Sequence, residues 1–213
     1  GDGIGPLTAQ HLRVGLPQLL HPHRITTVLL PVEADPLDVL LAPEDEREGL
    51  EWAQESVATM ERVDAGGIRQ IEPALATSWK VSPDGCTYTF NLRKGVVFHN
   101  GEPFTADSVV LTWNLMKQEK VKWSEKFNFV KNVKKIADYT VAISTEKPSP
   151  LLMRVIASFW GMIPPKYYKE KGEQGFLNHP IGTGPFRFVE WKKGDRLIYE
   201  ANPTYWDKDK YPK

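Results

Sequence analysis

Cysteine is almost missing from this chain: Cys86 is the single one among 213 residues. One thiol closes no intrachain disulfide and builds no cysteine cluster for zinc. The redox compartment is left open on this count. Net charge is missing too. Lys+Arg and Asp+Glu number 27 each, which leaves no electrostatic footprint for nucleic acid or for an anionic membrane surface. No run of eighteen apolar residues occurs, so no segment is long enough to cross a bilayer as a helix. Gly1 to Gln10 lack a basic start and an apolar stretch, so a secretion signal is expected to have been removed already if one existed.

Catalytic signatures are absent as well. There is no Gly-x-Ser-x-Gly elbow, no Walker loop, and no paired nucleophile and base. The acidic run Glu44-Asp45-Glu46 opens an expected helix, where it complements the dipole. The five histidines (His11, His21, His23, His99 and His179) show no His-x3-His spacing. His21 and His23 would point to opposite sides of an extended chain. The expectation is a protein without catalytic residues, without a metal site and without a cofactor.

What is present is ordinary globular material, 41% apolar and 25% charged. The length allows one large domain or two small ones, with enough apolar residues to bury a core. Seven tryptophans stand out, since large aromatic planes serve both cores and ligand clefts.

Periodicity places the elements. Leu12 to Pro17 reads as a short strand leading into a loop, Gln18 to His23. Pro31, Pro36 and Pro43 break the chain before a helix from Glu44 to Met60, whose stripe is Leu50, Ala53, Val57 and Met60. Ser78 to Val81 and Thr87 to Arg93 flank the turn Ser82-Pro83-Asp84-Gly85 as a hairpin, with Tyr88, Phe90 and Leu92 on one face. Val96 to Phe98 reads as one more short strand. Thr105 is placed to cap a helix running to Gln118 that buries Val109, Trp113 and Met116. A second hairpin spans Val133 to Ala137 and Thr140 to Thr145. Helices are expected from Ser149 to Ala157 and from Pro164-Pro165 to Gly172, then a hairpin of Gly184 to Trp191 and Arg196 to Glu200.

Three segments, in this order, carry a family signature. The first is Glu72 to Trp79 (Glu-Pro-Ala-Leu-Ala-Thr-Ser-Trp), with the hairpin that follows it. The second is Val97-Phe98-His99-Asn100-Gly101-Glu102-Pro103-Phe104-Thr105-Ala106-Asp107-Ser108-Val109. The third is Pro180-Ile181-Gly182-Thr183-Gly184-Pro185-Phe186, closed by Asn202-Pro203-Thr204-Tyr205-Trp206. Together they resemble the family 5 bacterial extracellular solute-binding proteins, which include oligopeptide, dipeptide and nickel binders of ABC importers. The likeness covers residues 61–213 closely and 12–27 more loosely. The glycines, prolines and helix cap of these motifs specify backbone and do not form a site.

The resemblance implies an α/β fold with a mixed sheet, of the type II periplasmic-binding-protein kind. Residues 1–27 and 179–213 would belong to the first ligand lobe, and 28–178 to the family's extra small α+β domain. Within it, 28–58 departs from the family pattern. The second lobe of relatives lies beyond the point corresponding to Lys213, so the N-terminal portion with one wall of a cleft is expected. Solute contacts are carried over to Gln18, Leu19, Leu20, His21 and Ile25 after the first strand, to Trp123, to Ser158, Phe159 and Trp160, and to Thr183. The alternatives are a surface turn set by Pro22 and His23, packing of Trp123 on Phe127 and Phe129, core packing at 158–160, and turn capping by Thr183.

The implied partners are a small-molecule or peptide solute and the transmembrane permease subunits of an ABC importer, with no nucleic acid and a monomeric state. The implied location is periplasmic or extracellular, with lipid anchoring as one form. A nickel, oligosaccharide or other solute binder, or a non-catalytic interaction or structural piece, stands beside the peptide reading.

Overall fold

The computed structural model describes residues 26–28, 61–63, 69–118, 124–192 and 196–209. The expected strand Leu12–Pro17, the loop Gln18–His23, the helix Glu44–Met60 and Trp123 lie outside the described residues.

The main sheet grows from the first hairpin. Strands β4 (Ala76–Val81) and β5 (Thr87–Leu92) pair antiparallel across the Ser82–Gly85 turn. Gly85 takes φ +69°, a conformation glycine adopts without steric cost, and its amide donates to the Ser82 carbonyl at 2.8 Å. The Asp84 carboxylate accepts from the Ser82 hydroxyl and from the Cys86 amide, and these bonds hold its carboxyl below the usual value. Strand alternation sends Tyr88, Phe90 and Leu92 inward, and Phe90 is fully buried. The hairpin of β6 (Val130–Ala137) and β7 (Thr140–Thr145) completes the order β4-β5-β7-β6, antiparallel throughout. Edge strand β6 carries exposed Lys131 and Lys134, charges that discourage a further strand from pairing there.

Helix α1 (Ala106–Met116) covers the buried face of this sheet. Thr105 caps it with a capping box, its hydroxyl accepting from the Asp107 amide at 3.3 Å while the Ser108 hydroxyl accepts from the Thr105 amide. Its buried Val109, Thr112, Trp113 and Met116 recur at helical spacing. A 3-10 turn at Ser124–Phe127 brings Phe127 against that face. Trp113, Phe127 and Trp160 pack as a triangle, with ring centroids 6.4 Å, 6.1 Å and 5.9 Å apart, spacings at which tilted aromatic pairs attract. At the surface Lys135 reaches both Asp107 and Asp138 at 2.8 Å.

Four sequence expectations shift. Val96–Phe98 forms no strand, only a single bridge from Val97 to Pro103, because the chain turns back at once through Gly101 at φ +83°. Ser149 does not cap a helix. Helix α2 (Leu152–Phe159) starts three residues later behind Leu151, which gives no side-chain cap, while the Ser149 carbonyl accepts the Tyr88 hydroxyl. Helix α3 (Pro165–Asn178) does not end at Gly172, which takes φ +68° as a kink after which the helix resumes. β6 begins at Val130, earlier than the expected Val133.

Two smaller sheets complete the fold. β2 (Glu61–Val63) and β3 (Arg69–Ile71) form a hairpin touched by α2. β1 (Thr26–Val28), β9 (Arg196–Ala201) and β8 (Phe186–Lys192) pair antiparallel in that order. Thus residues near position 27 and residues near position 195 share one sheet. Phe90→Ala should cost about 3–5 kcal/mol in urea unfolding, through lost burial and the cavity left behind. Lys135→Ala, removing a solvent-screened ion pair, should leave the urea midpoint close to that of the parent.

Candidate functional site

The third motif runs from α3 into β8, and Pro180 to Gly184 are all buried. Such a segment must satisfy its backbone groups internally, and His99 supplies the partners. His99 sits on the loop whose Val96, Phe98 and Phe104 are sunk in the core, so its backbone is fixed. Its amide donates to the Gly182 carbonyl at 2.9 Å. The Gly182 amide in turn donates to His99 Nδ1 at 3.2 Å, and His99 Nε2 lies 3.0 Å from the Gly184 carbonyl. An amide only donates and a carbonyl only accepts. The ring is therefore neutral, with its proton on Nε2.

Asn202 holds the same segment from the other side. Its amide donates to the Pro185 carbonyl at 2.7 Å, and its Nδ2 donates to the Gly184 carbonyl at 3.0 Å. Its Oδ1 accepts from the Thr204 amide and hydroxyl. Arg93 fixes the end of the motif by stacking over Trp206, 4.2 Å from the ring centroid, and donating from Nε to the Ala74 carbonyl.

Beside this network lies an open pocket of about 290 Å³, with His99, His179, Ile181, Arg187, Phe188 and Glu200 in its walls. Arg187 Nη2 pairs with Glu200 Oε1 at 2.9 Å, and the His179 ring stands edge-on to Phe188. Thr183 Oγ1, Arg187 Nε, Tyr199 Oη and Trp160 Nε1 are buried polar atoms without a hydrogen-bond partner among the described residues. Burial pushes the Tyr199 hydroxyl well above its usual value. No group of three metal-ligating side chains occurs among the described residues.

The expected solute contacts fare unevenly. Gln18, Leu19, Leu20, His21, Ile25 and Trp123 lie outside the described residues. Ser158 and Phe159 are the last two residues of α2, with only their backbone described. Trp160 is 1% exposed in the aromatic triangle, which makes it core packing in this structure and not a cleft wall. Thr183 is buried to the same degree, and its hydroxyl caps no turn among the described residues. The structure brings Thr183 next to His99 and Asn202, two residues the sequence reading passed over. Spacing and composition mark neither as a site residue; what places both is their position within the second motif and the segment that closes the third.

The sequence model of the bacterial extracellular solute-binding proteins, family 5, middle region, matches residues 70–213. The chain belongs to this family. It is 33% identical over 164 residues to di/tripeptide-binding protein 4 of Pseudomonas aeruginosa, covering 66% of this chain and 31% of that protein. The fold resembles NikZ of Campylobacter jejuni in complex with Ni(L-His), at TM-score 0.71 and 28% identity over 83% of this chain and 35% of the other. It also resembles the ABC transporter-associated periplasmic binding protein DppA of Helicobacter pylori in complex with the peptide STSA, at TM-score 0.67 and 27% identity over 81% and 37% of the two chains. The fold is thus the α/β fold of the type II periplasmic binding proteins. The chain spans about a third of the length of the relatives it matches.

Two outcomes follow for the network. Burial is the main force holding the His99 imidazole down to about 4 from its ordinary 6.5, with the Gly184 carbonyl opposing it and Arg187 adding to it. A depressed histidine favours folding only while the unfolded ring is also neutral. Stability should therefore be flat above about pH 6.5 and fall by on the order of 3 kcal/mol on approaching pH 4. Urea unfolding at stepped pH, with His99→Gln subtracted to remove the carboxylate background, isolates this loss. Asn202→Ala should cost about 1–3 kcal/mol at pH 7, since it leaves buried backbone groups without partners.

Proposed function

We propose that the protein is the extracytoplasmic solute-binding component of an ABC importer and that its solute is a peptide. The observation that carries this reading is the family match over residues 70–213, joined to a relative named for di- and tripeptides and a structural neighbour holding a tetrapeptide-length ligand. Capture proceeds by lobe closure. Solute binds the closed form better than the open form, shifts the population toward it, and the closed form docks on the transmembrane permease.

In this reading residues 1–27 and 179–213 belong to the first lobe, and 28–178 form the extra domain. Gln18, Leu19, Leu20, His21, Ile25 and Trp123 face the solute, with Ser158 and Phe159 beside them. Trp160 and Thr183 sit behind that surface, in keeping with their burial. The peptide main chain is held by hydrogen bonds, and side chains lie in watery pockets. The protein works as a monomer, without catalysis, in the periplasm or outside the cell, and a lipid anchor is compatible with the role.

The neighbour bound to Ni(L-His) gives the second reading, a metal chelate as solute. Thermal-shift titration of the protein as the cell makes it decides between them. At a hundredfold excess over Kd, a di- or tripeptide should add about 2.7 kcal/mol of stability, roughly 5–10 °C in Tm. A shift with nickel–histidine and none with any peptide transfers the assignment to the chelate. No shift with either, nor with an oligosaccharide panel, removes the solute-capture reading.

A further inference from the structure

One imidazole ring clasps both ends of the Gly182–Gly184 bend, and it can do so in a single protonation state. Nδ1 must be bare to accept the Gly182 amide at 3.2 Å, while Nε2 must carry the proton shared with the Gly184 carbonyl at 3.0 Å. A second proton on the ring sets N–H against N–H at Nδ1. Two donors then face each other with no acceptor between them, inside a buried segment.

We propose that His99 is a proton-operated latch on the Pro180–Pro185 segment: neutral, its ring holds the Gly182 amide and the Gly184 carbonyl; protonated, it releases the Gly182 amide alone, while the His99 amide keeps the Gly182 carbonyl and Gly184 stays held. The asymmetry comes from Asn202, which keeps its own bonds to the Gly184 and Pro185 carbonyls whatever the ring does. Release is therefore local to Gly182 and Thr183, and the β8–β9 hairpin keeps its register.

The charged neighbours set where the latch trips. Arg187 on β8 opposes the second proton, and the ring is held near 4 mainly by burial. Glu200 on β9 is already paired with Arg187 at 2.9 Å. His179, after α3, lines the same pocket. On the loop of His99 itself, the Glu102 carboxylate is engaged by the amides of Lys166 at 2.7 Å and Tyr167 at 3.2 Å, capping α3. No carboxylate is left free among these groups to stabilise an imidazolium. The latch does not depend on the nature of the solute.

Nitrogen-15 NMR on the protein, titrated from pH 7.5 to 3.5, tests it. Two-bond proton–nitrogen correlations should show the Nε2–H tautomer at neutral pH and a midpoint well below 6.5, close to 4. The Gly182 and Thr183 amides should shift with that same midpoint while Asn202 stays still. The Gly182 protection factor should drop about two- to tenfold, the worth of one hydrogen bond. An Nδ1–H tautomer, a midpoint near 6.5, or a Gly182 amide that ignores the titration overturns the latch. Global unfolding before His99 titrates overturns it too. In His99→Phe the Gly182 step should vanish, and a step that persists means another group drives it. Where that variant does not fold, the parent titration decides alone.

Discussion

A buried carbonyl needs donors, and the Gly184 carbonyl has two, one from each side of the molecule. His99 reaches it from the loop that joins the main sheet to α1, and Asn202 reaches it from the segment after β9. The main sheet and the β1-β9-β8 sheet share no strand. Their connection at this point runs through the Gly184 carbonyl and the paired bonds between His99 and Gly182, buried groups whose desolvation would otherwise cost on the order of a few kcal/mol.

Around that junction, two further devices keep the parts in place. Glu102, directly after the Asn100-Gly101 turn, serves as the N-terminal cap that Pro164 cannot provide for α3. The carboxylate thus stands in for missing local chemistry with a residue sixty-odd positions away. The aromatic triangle of Trp113, Phe127 and Trp160 does the corresponding work in the core, seating α1, the 3-10 turn and the end of α2 on one another. Trp160 pays for this with a buried indole N–H that finds no acceptor among the described residues.

Much of the framework was legible in the sequence because it is local. Tyr88, Phe90 and Leu92 alternate, Thr105 precedes an apolar stripe with Ser108 three positions on, and Gly85 closes a Ser-Pro-Asp-Gly turn. Each of these is decided by neighbours within a few residues. The misses share the opposite property. β1 is three residues long and exists as a strand by pairing with β9, some 170 positions later, so no local period announces it. Val96–Phe98 has strand composition, but Pro103 and Gly101 turn the chain back before a ladder can form. Gly172 carries the stop signal of a helix end, yet Phe176 and Leu177 beyond it are buried, and that packing restarts the helix. Site assignment was least legible. A tryptophan beside a serine and a phenylalanine reads alike whether it lines a cleft or fills a core, and only the packing around Trp160 separates the two.

The separation between His99 and its partners also sets an order of events on the ribosome. Gly182 and Gly184 follow His99 by 83 and 85 residues. At about 5–20 residues per second, translation leaves a gap of roughly 4–17 s between the appearance of the ring and of the glycines it clasps. The β4–β5 hairpin is already made when His99 appears, and α1 and the β6–β7 hairpin emerge within that gap and can pack on it. The loop bearing His99 reaches its final bonding only after the third motif has been made, so this contact is a docking step of long sequence range.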